Sequence, residues 1–581
     1  MWVKEPQSGG NDVTGTVVMM FNDPAEDSGN VAERNAKSEL NNDSPRPQDH
    51  LKQTKEGIVL NPQPQDDPND PLNWPMWRRD VALLTVSIFA LLAGGQTPIL
   101  APVMNVLGKD FDRPLHDLTY LVGVFMAAMG VGSALFAPLA VNYGKRVVYL
   151  ASLLIFLAGL IWAANATSYS SLMGARVLSG IGCSPAESLP STTIAEIYFA
   201  HERAYRIGIY TLLLLGGKNL SPLVSAFTAN RLGWHWIFWV CAIICGASFV
   251  AMYLFVHETW WQRVPVPDKR SQEETEAARK ARQHSDHQMM RRDTSHSLQN
   301  APTIDLEELP KEGVSAQSSS LQNPSNEDVP KRVPFFRNLR IYSGKQSDAK
   351  LWVVFFRPIM LYIYPPVLFA SLVYGTSVVW LSVIAETITS IFSTEPYNFK
   401  TTSIGLLYVA TFVGSLLGSL VAGKVSDVVV RFICRRNGGI YEPEFRLVMI
   451  APVMLAITIG LMGFGWSTQA HDLWIVPAIF LGVLGFGTSL ASTVSITYVV
   501  DCYRKLALES LVSLNLAKNL MGLGFSIFVP YFFEAAGSRI SYVVYGCVEI
   551  ALCLTAIPLY HYGKVLRRYY DNKAWIDILY K

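Results

Sequence analysis

The chain has 581 residues, half of them hydrophobic and only 16% charged, with a net charge of +2. That composition excludes an ordinary soluble globular domain, and the unevenly placed charges give nucleic-acid binding no support. Seven cysteines show no disulfide or zinc spacing: Cys183, Cys241, Cys245, Cys547 and Cys553 fall in apolar runs and Cys434 and Cys502 in loops, so no metal, redox centre or cofactor is expected.

Residues 1–75 are rich in Asn, Asp, Pro and Ser, with too little apolar surface to fold alone, and they carry no cleavable signal pattern. The segment from Asp67 to Trp74 reads as a proline-fixed turn; Trp77, Arg78 and Arg79 follow it, aromatic groups for headgroup depth and cations for the cytosolic side. Six apolar runs come next: Val81–Val103, Leu118–Val141, Val147–Ala164, Ser171–Ile197, Ala204–Ala229 and Trp234–Val256. Each is long enough for a membrane helix, which needs about 20 residues. Residues 262–350 break the pattern; Ser271–Arg292 is predicted as a charged surface helix and the rest as linker. Six more runs follow: Pro358–Ile384, Ile404–Ala422, Leu447–Trp466, Trp474–Val500, Leu506–Phe533 and Tyr542–His561.

The sequence thus predicts an all-α integral membrane protein of two pseudo-symmetric six-helix bundles. Its divisions are a tail (1–80), a first bundle (81–261), a linker (262–350), a second bundle (351–562) and a C-terminal tail (563–581). Basic residues concentrate in the loops on one side, among them Lys145, Arg146, Arg203, Arg206, Lys424, Arg431, Arg435, Arg436, Arg446, Arg504 and Lys505, which puts both termini in the cytosol. Of two glycosylation sequons, Asn165-Ala-Thr167 lies close to the membrane outside and Asn42-Asp-Ser44 in the cytosolic tail. A plasma membrane location is expected, with an internal membrane as the other reading.

The halves repeat. Lys218-Asn219-Leu220 in the fifth run recurs as Lys518-Asn519-Leu520 in the eleventh. Gly180, Gly182, Thr192, Glu196 and Tyr198 of the fourth run meet Gly485, Gly487, Thr497, Asp501 and Tyr503 of the tenth, and Gly132-Ser133 meets Gly418-Ser419. Single matches between apolar helices are cheap; three pairs in one order are not. Repeated halves around a midplane site are the plan of many secondary transporters.

On these motifs the chain resembles the major facilitator superfamily, in particular the twelve-helix drug:proton antiporter branch common in fungi, from about Asp67 to Lys564 without the linker. Arg176-Val-Leu-Ser-Gly180-Ile-Gly182 is similar to the superfamily's arginine motif, which the resemblance ties to proton coupling. Gly208, Gly217, Ser221-Pro222 and Ser225 are similar to the fifth-helix antiporter motif, with serines at two of its usual glycines. Glu258-Thr259 after the sixth helix is also familiar from that branch. The loop motif after the second helix keeps Gly144-Lys145-Arg146 but has Ala137 and Val141 where glycine and aspartate are usual; the second half keeps Gly423 and Asp427, with Arg431 beyond. A gating latch is therefore expected to rest on Asp427, tight turns being the rival reading. Gly217 and Pro222 are read as close-packing and bending positions, hence as candidate conformational residues.

Ionisable residues inside the runs are the main functional evidence, since each is costly in a bilayer, about 2.5–3.5 kcal/mol for a lysine or arginine on insertion scales. They are Arg176 and Glu187, Lys218, Lys518, Glu386 and Glu549. Arg176 and Glu187, 11 positions apart, would stand about 16 Å apart on one helix and need separate partners. Both are assigned to proton coupling, with Glu187 the carrier. A structural ion pair or a snorkelling side chain is the expectation for Glu386 and Glu549. Lys218, Asn219, Asn515, Lys518, Asn519, Tyr374 and Trp380 are the candidate substrate-binding residues; two ammonium groups on one cavity favour an acidic substrate unless Glu187 neutralises them. Packing is the competing reading for each aromatic.

No GxxxxGK[ST], HExxH or GxSxG motif is present, so an enzyme is a poor second class. The expected function is proton-coupled efflux of a drug, toxin or secondary metabolite by a monomer. The alternatives are proton-driven uptake of a nutrient or organic cation, or a substrate-sensing receptor on a transporter fold.

Overall fold

The computed structural model describes residues 17–18, 64–65, 67–261, 339–342, 344–346, 350–437, 440–503 and 506–571. The tail sequon at Asn42, the expected helix at Ser271–Arg292, Arg504 and Lys505 lie outside them, as does the side chain of Arg203. Except for one two-residue pairing, Val17–Val18 with Ile440–Tyr441, the regular structure among the described residues is helical.

Nine stretches are long and apolar enough to span a membrane among the described residues. Three places account for the difference from twelve. The first span, Met76–Gly95, opens on Arg78, Arg79 and Asp80; the fourth is interrupted; and the eleventh and twelfth run together as Ala507–Leu554, broken only at Gly537 with φ +76°. The other spans are Leu115–Tyr143, Lys145–Ala164, Ala200–Leu232, His235–Phe255, Pro365–Ser393, Thr401–Arg436, Ile450–Gln469 and Ile475–Cys502. The fourth consists of Tyr169–Cys183, a 3-10 turn at Ser184–Glu187, and Leu189–Ile197.

Several boundaries depart from the sequence reading for visible reasons. The first helix stops at Gly95, short of Pro98 and Pro102, and resumes as a short helix at Met104–Phe111. The eighth runs on to Arg436, so Gly423 and Asp427 sit inside a helix rather than in a loop. A further helix, Ala556–Asp571, carries the chain past the expected end of the twelfth and buries Lys564 and Arg567. Trp74 is buried, with Arg78 stacked 4.1 Å from its ring.

The bundles meet where the second span packs on the eleventh and the fifth on the eighth. Small residues permit this approach: a Cβ added at Gly405 would stand 2.7 Å from Ala226 Cβ. The first and twelfth spans open onto one side, the termini face. At the opposite, distal face the halves are tied by Thr389 Oγ donating to Ala101 O (2.5 Å), Asn105 Nδ2 to Ser393 Oγ (3.0 Å), Thr119 Oγ to Ser526 O (3.1 Å) and the Tyr120–Tyr531 hydroxyl pair (3.3 Å).

The described residues near the end of the linker are held by hydrogen bonds although none of them is buried. Gln346 N donates to Asn142 O (2.8 Å), Arg146 Nη2 to Leu339 O (3.3 Å), and Tyr342 packs near Tyr143. Its last residues are fastened to the loop between the second and third spans.

Candidate functional site

The site begins with two prolines. Pro185 and Pro190 have no amide hydrogen for Ile181 O and Ala186 O, so the fourth helix cannot run through them. Ile181 O is taken by the amide and hydroxyl of Ser184, and Ala186 O by Tyr210 Oη of the fifth span (3.1 Å). Glu187 sits on this interruption, its side chain 3% exposed.

Lysines from both halves converge on it. Lys518 Nζ of the eleventh span is 2.5 Å from both carboxylate oxygens, and Lys218 Nζ of the fifth donates to Oε1 at 3.2 Å. Asn515 Nδ2 reaches Glu187 O at 3.5 Å; Tyr374 Oη donates to Asn515 Oδ1 (3.2 Å), and the Tyr374 ring lies 5.9 Å from Lys518 Nζ. Desolvating three charges costs several kcal/mol each, which their mutual attraction offsets. One carboxylate thus holds two ammonium groups, and the centre keeps one surplus positive charge.

Beside it lies a cavity of about 30 Å³, lined by Lys218, Asn219, Lys518 and Asn519 with Met126, Met129, Tyr408 and Thr411. That is room for about one water. The conformation is closed around its centre, and an organic ligand needs the halves to part. Asn219 Nδ2 donates across the interface to Ser415 Oγ of the eighth span (3.0 Å). Asn519 is fully buried, with neither amide atom partnered among the described residues.

Other candidates lie elsewhere. Arg176 is fully buried against Phe125 and donates to Gln96 O (2.8 Å), Gln96 Oε1 (3.4 Å) and Leu121 O (3.3 Å), bracing the first helix where it ends; its bonds go to neutral oxygens, not to Glu187. Trp380 donates to Glu549 Oε2 (2.9 Å) and stacks on Tyr545 of the twelfth span, inside the second bundle and off the cavity. Among the described residues, contrary to the ion-pair expectation, neither Glu386 nor Glu549 has a cationic partner: Glu549 takes hydrogen bonds from Trp380 and Ser377, and Glu386 takes one from Ser526.

On the termini face, Gly144 (φ +92°) turns the chain so that Lys145 N and Arg146 N donate to the Glu258 carboxylate (3.3 and 3.2 Å). Lys145 Nζ pairs with Glu196 (2.8 Å), and the Arg146 guanidinium caps Val256 O (2.9 Å) and Tyr253 O (2.8 Å). In the second half Asp427 is 65% exposed and pairs with Arg446 at 3.8 Å, while Arg446 pairs with Asp501 at 2.5 Å; Arg431 Nε donates to Asp427 O (3.2 Å). The shorter of the two Arg446 ion pairs is the one to Asp501. Gly217 packs against Leu91 O of the first span, Pro222 lies within the fifth helix, and Gly423 has open space around it.

Sequence reasoning missed the interruption of the fourth span and the partners Tyr210 and Ser415. The first was signalled by Pro185 and Pro190 in Ser184-Pro-Ala-Glu-Ser-Leu-Pro190. The hydroxyl partners carry no signal of their own.

Two six-helix bundles thus close on a buried charged centre to which both contribute. The chain belongs to the Major Facilitator Superfamily, which it matches over residues 86–527. It is 28% identical to an MFS-type transporter of Schizosaccharomyces pombe over 90% of each chain. It is 26% identical to the Saccharomyces cerevisiae protein HOL1, covering 90% of this chain and 92% of that one. It is 25% identical to the efflux pump radE of Floropilus chiversii, covering 86% and 83%. Among solved structures it is similar in fold to the proton:xylose symporter XylE, with TM-score 0.52, 15% identity and coverage of 83% and 95%.

Proposed function

We infer that this chain is a proton-coupled secondary transporter of a small organic molecule, exposing its central site to the two faces in turn. The observation that carries this reading is the Glu187 carboxylate of the first half gripped by Lys518 of the second, beside a cavity that both halves line. Such a pair has to loosen whenever the halves part at the centre, so its ionic state and the opening are linked. Lys218, Asn219, Asn515, Lys518, Asn519 and Tyr374 are assigned to substrate, and Glu187 to the proton. Arg176 is assigned to holding the first span in place, and Gly144-Lys145-Arg146 with Glu258 to the closure of the termini face. The relatives named as efflux pumps and the fifth-span motif favour outward transport. The surplus positive charge of the centre favours uptake of an acidic compound as the second reading. A monomer in the plasma membrane with cytosolic termini fits the placing of the basic loops.

The test is net flux in reconstituted vesicles across a compound panel, with and without a proton ionophore. Ionophore-sensitive accumulation that Glu187→Gln abolishes, with downhill movement retained, supports the reading. Ligand binding without any net flux would instead identify a receptor.

A further inference from the structure

In the closed state the two lysines already hold a carboxylate, and it belongs to the protein. Lys518 Nζ meets both Glu187 oxygens and Lys218 Nζ one of them. Tyr210 from the fifth span, Asn515 from the eleventh and Cys183 on its own span surround Glu187, with Tyr374 of the seventh beyond. The described hydrogen bonds and ion pairs of Glu187 include none from the first, second or third span. Among the described residues lining the cavity there are two lysines and no acid. A cationic ligand entering here would face two ammonium groups. A neutral ligand could not replace what Glu187 supplies to them. A second carboxylate could.

We propose that the centre binds an organic monocarboxylate on Lys218 and Lys518 in place of the Glu187 carboxylate, which takes up one proton as it is displaced, so that proton and anion travel together. The inference rests on the transporter reading above and names its substrate class. No covalent bond changes: the ion pairs from the lysines to Glu187 are replaced by ion pairs to the ligand, and a proton from solvent settles on a Glu187 oxygen. The charge balance closes, since two ammonium groups and one ionised carboxylate sum to +1 before and after. The amide of Asn519, unpartnered among the described residues, offers the remainder of the ligand one acceptor and donors, in a wall that also carries Asn219, Tyr408 and Thr411. Because each event frees what the other needs, proton and anion raise one another's affinity by the same factor. That is the linkage of a symporter. An antiporter needs proton and substrate to exclude each other, so the centre reverses the exchange implied by the fifth-span motif, which here has Ser221 and Ser225 at two of its glycines.

The full-length protein in detergent is tested with 3-phenylpropionate, its amide and the corresponding amine, read by thermal unfolding and by proton uptake in weakly buffered solution between pH 6 and 8. The acid is expected to stabilise the wild type, binding about tenfold more tightly for each unit the pH falls, with about one proton taken up per ligand. Lys518→Met is expected to weaken that binding at least tenfold and Lys518→Arg to restore most of it. Glu187→Gln is expected to bind the acid with no pH slope and no proton uptake. Should Glu187→Gln not fold, the wild-type slope alone decides. Tighter binding of the amide or amine, acid binding without proton uptake, or no stabilisation by the acid each overturns the proposal. Its failure is separable from failure of the transporter reading. In the first case vesicles still show net flux of compounds lacking a carboxylate; in the second the acid binds with its proton but no flux of any compound appears.

Discussion

Removing the Arg567 guanidinium should cost more stability than any other single truncation on the termini face. Its side chain is fully buried and holds two acids at once: Nη2 lies 3.0 Å from Glu442 Oε2 and 2.8 Å from Glu444 Oε2, and Nε lies 2.9 Å from Glu444 Oε1. Lys564 Nζ, 2.8 Å from Glu442 Oε1, completes a neutral set of two cations and two anions. The three acid and arginine side chains are at most 1% exposed, so water cannot replace the missing partner. Arg567→Met leaves Glu444 buried and unpaired, a change that costs about 3–5 kcal/mol. Adding Glu444→Gln restores neutrality, with Lys564 and Glu442 still paired, and should recover at least half of that loss. The assay is the unfolding midpoint of purified protein in detergent for wild type, both single variants and the double, treated as a double-mutant cycle. A double variant no more stable than Arg567→Met would refute the charge-balance argument, as would an Arg567→Met protein as stable as wild type.

Gly217→Leu should sharply reduce the yield of monodisperse protein, because even its Cβ would collide with Leu91 O, whereas Gly423→Leu, with open space around it, should express like wild type on size-exclusion chromatography. Asn219→Ala and Ser415→Ala, each removing one end of a bond between the halves, should couple by roughly 0.6 kcal/mol in a thermal-stability cycle; fully additive losses would contradict the bond. His257, just beyond the sixth span, is lowered to about 4 by its burial and by Arg78 and Arg146. It is neutral in the fold but takes a proton near 6.5 when unfolded, so its stabilising share is complete above pH 6.5 and is lost as pH falls towards 4. Unfolding midpoints of His257→Gln should accordingly fall less than those of wild type over that interval.

Membrane helices were legible because their signal is a mean over about 20 residues, which tolerates local irregularity. The same averaging hid the break in the fourth span, where two prolines are diluted by apolar neighbours. Lys218 and Lys518 stood out because a lysine in such a run is rare, and the repeat placed them in opposite halves. That Glu187 neutralises them was only an open alternative in the sequence, because its reach to both depends on how far the fourth span turns at its interruption. Trp380 and Glu549 misled for the opposite reason. Seen one at a time, an aromatic suggests a stacking surface and an acid suggests a cation; only the packing of the seventh span on the twelfth shows that each answers the other. The motif around Asp427 was legible, but the nearer partner of Arg446 was not: Asp427 stands 3.8 Å from its guanidinium and Asp501 2.5 Å.

The fastening of the linker's end to the loop after the second span changes what joins the two bundles mechanically. The leash is not the whole of residues 262–350: once Leu339 and Gln346 are held by Arg146 and Asn142, only residues 347–350 separate that anchor from the helix Leu351–Met360 leading to the seventh span. Four intervening residues make five Cα–Cα steps and reach at most about 18 Å. Wherever that anchor holds, the chain length bounds how far Leu351 can stand from the loop after the second span, on the termini face. Proteolytic nicking between residues 262 and 338 should leave that anchor, and with it this bound, as they were.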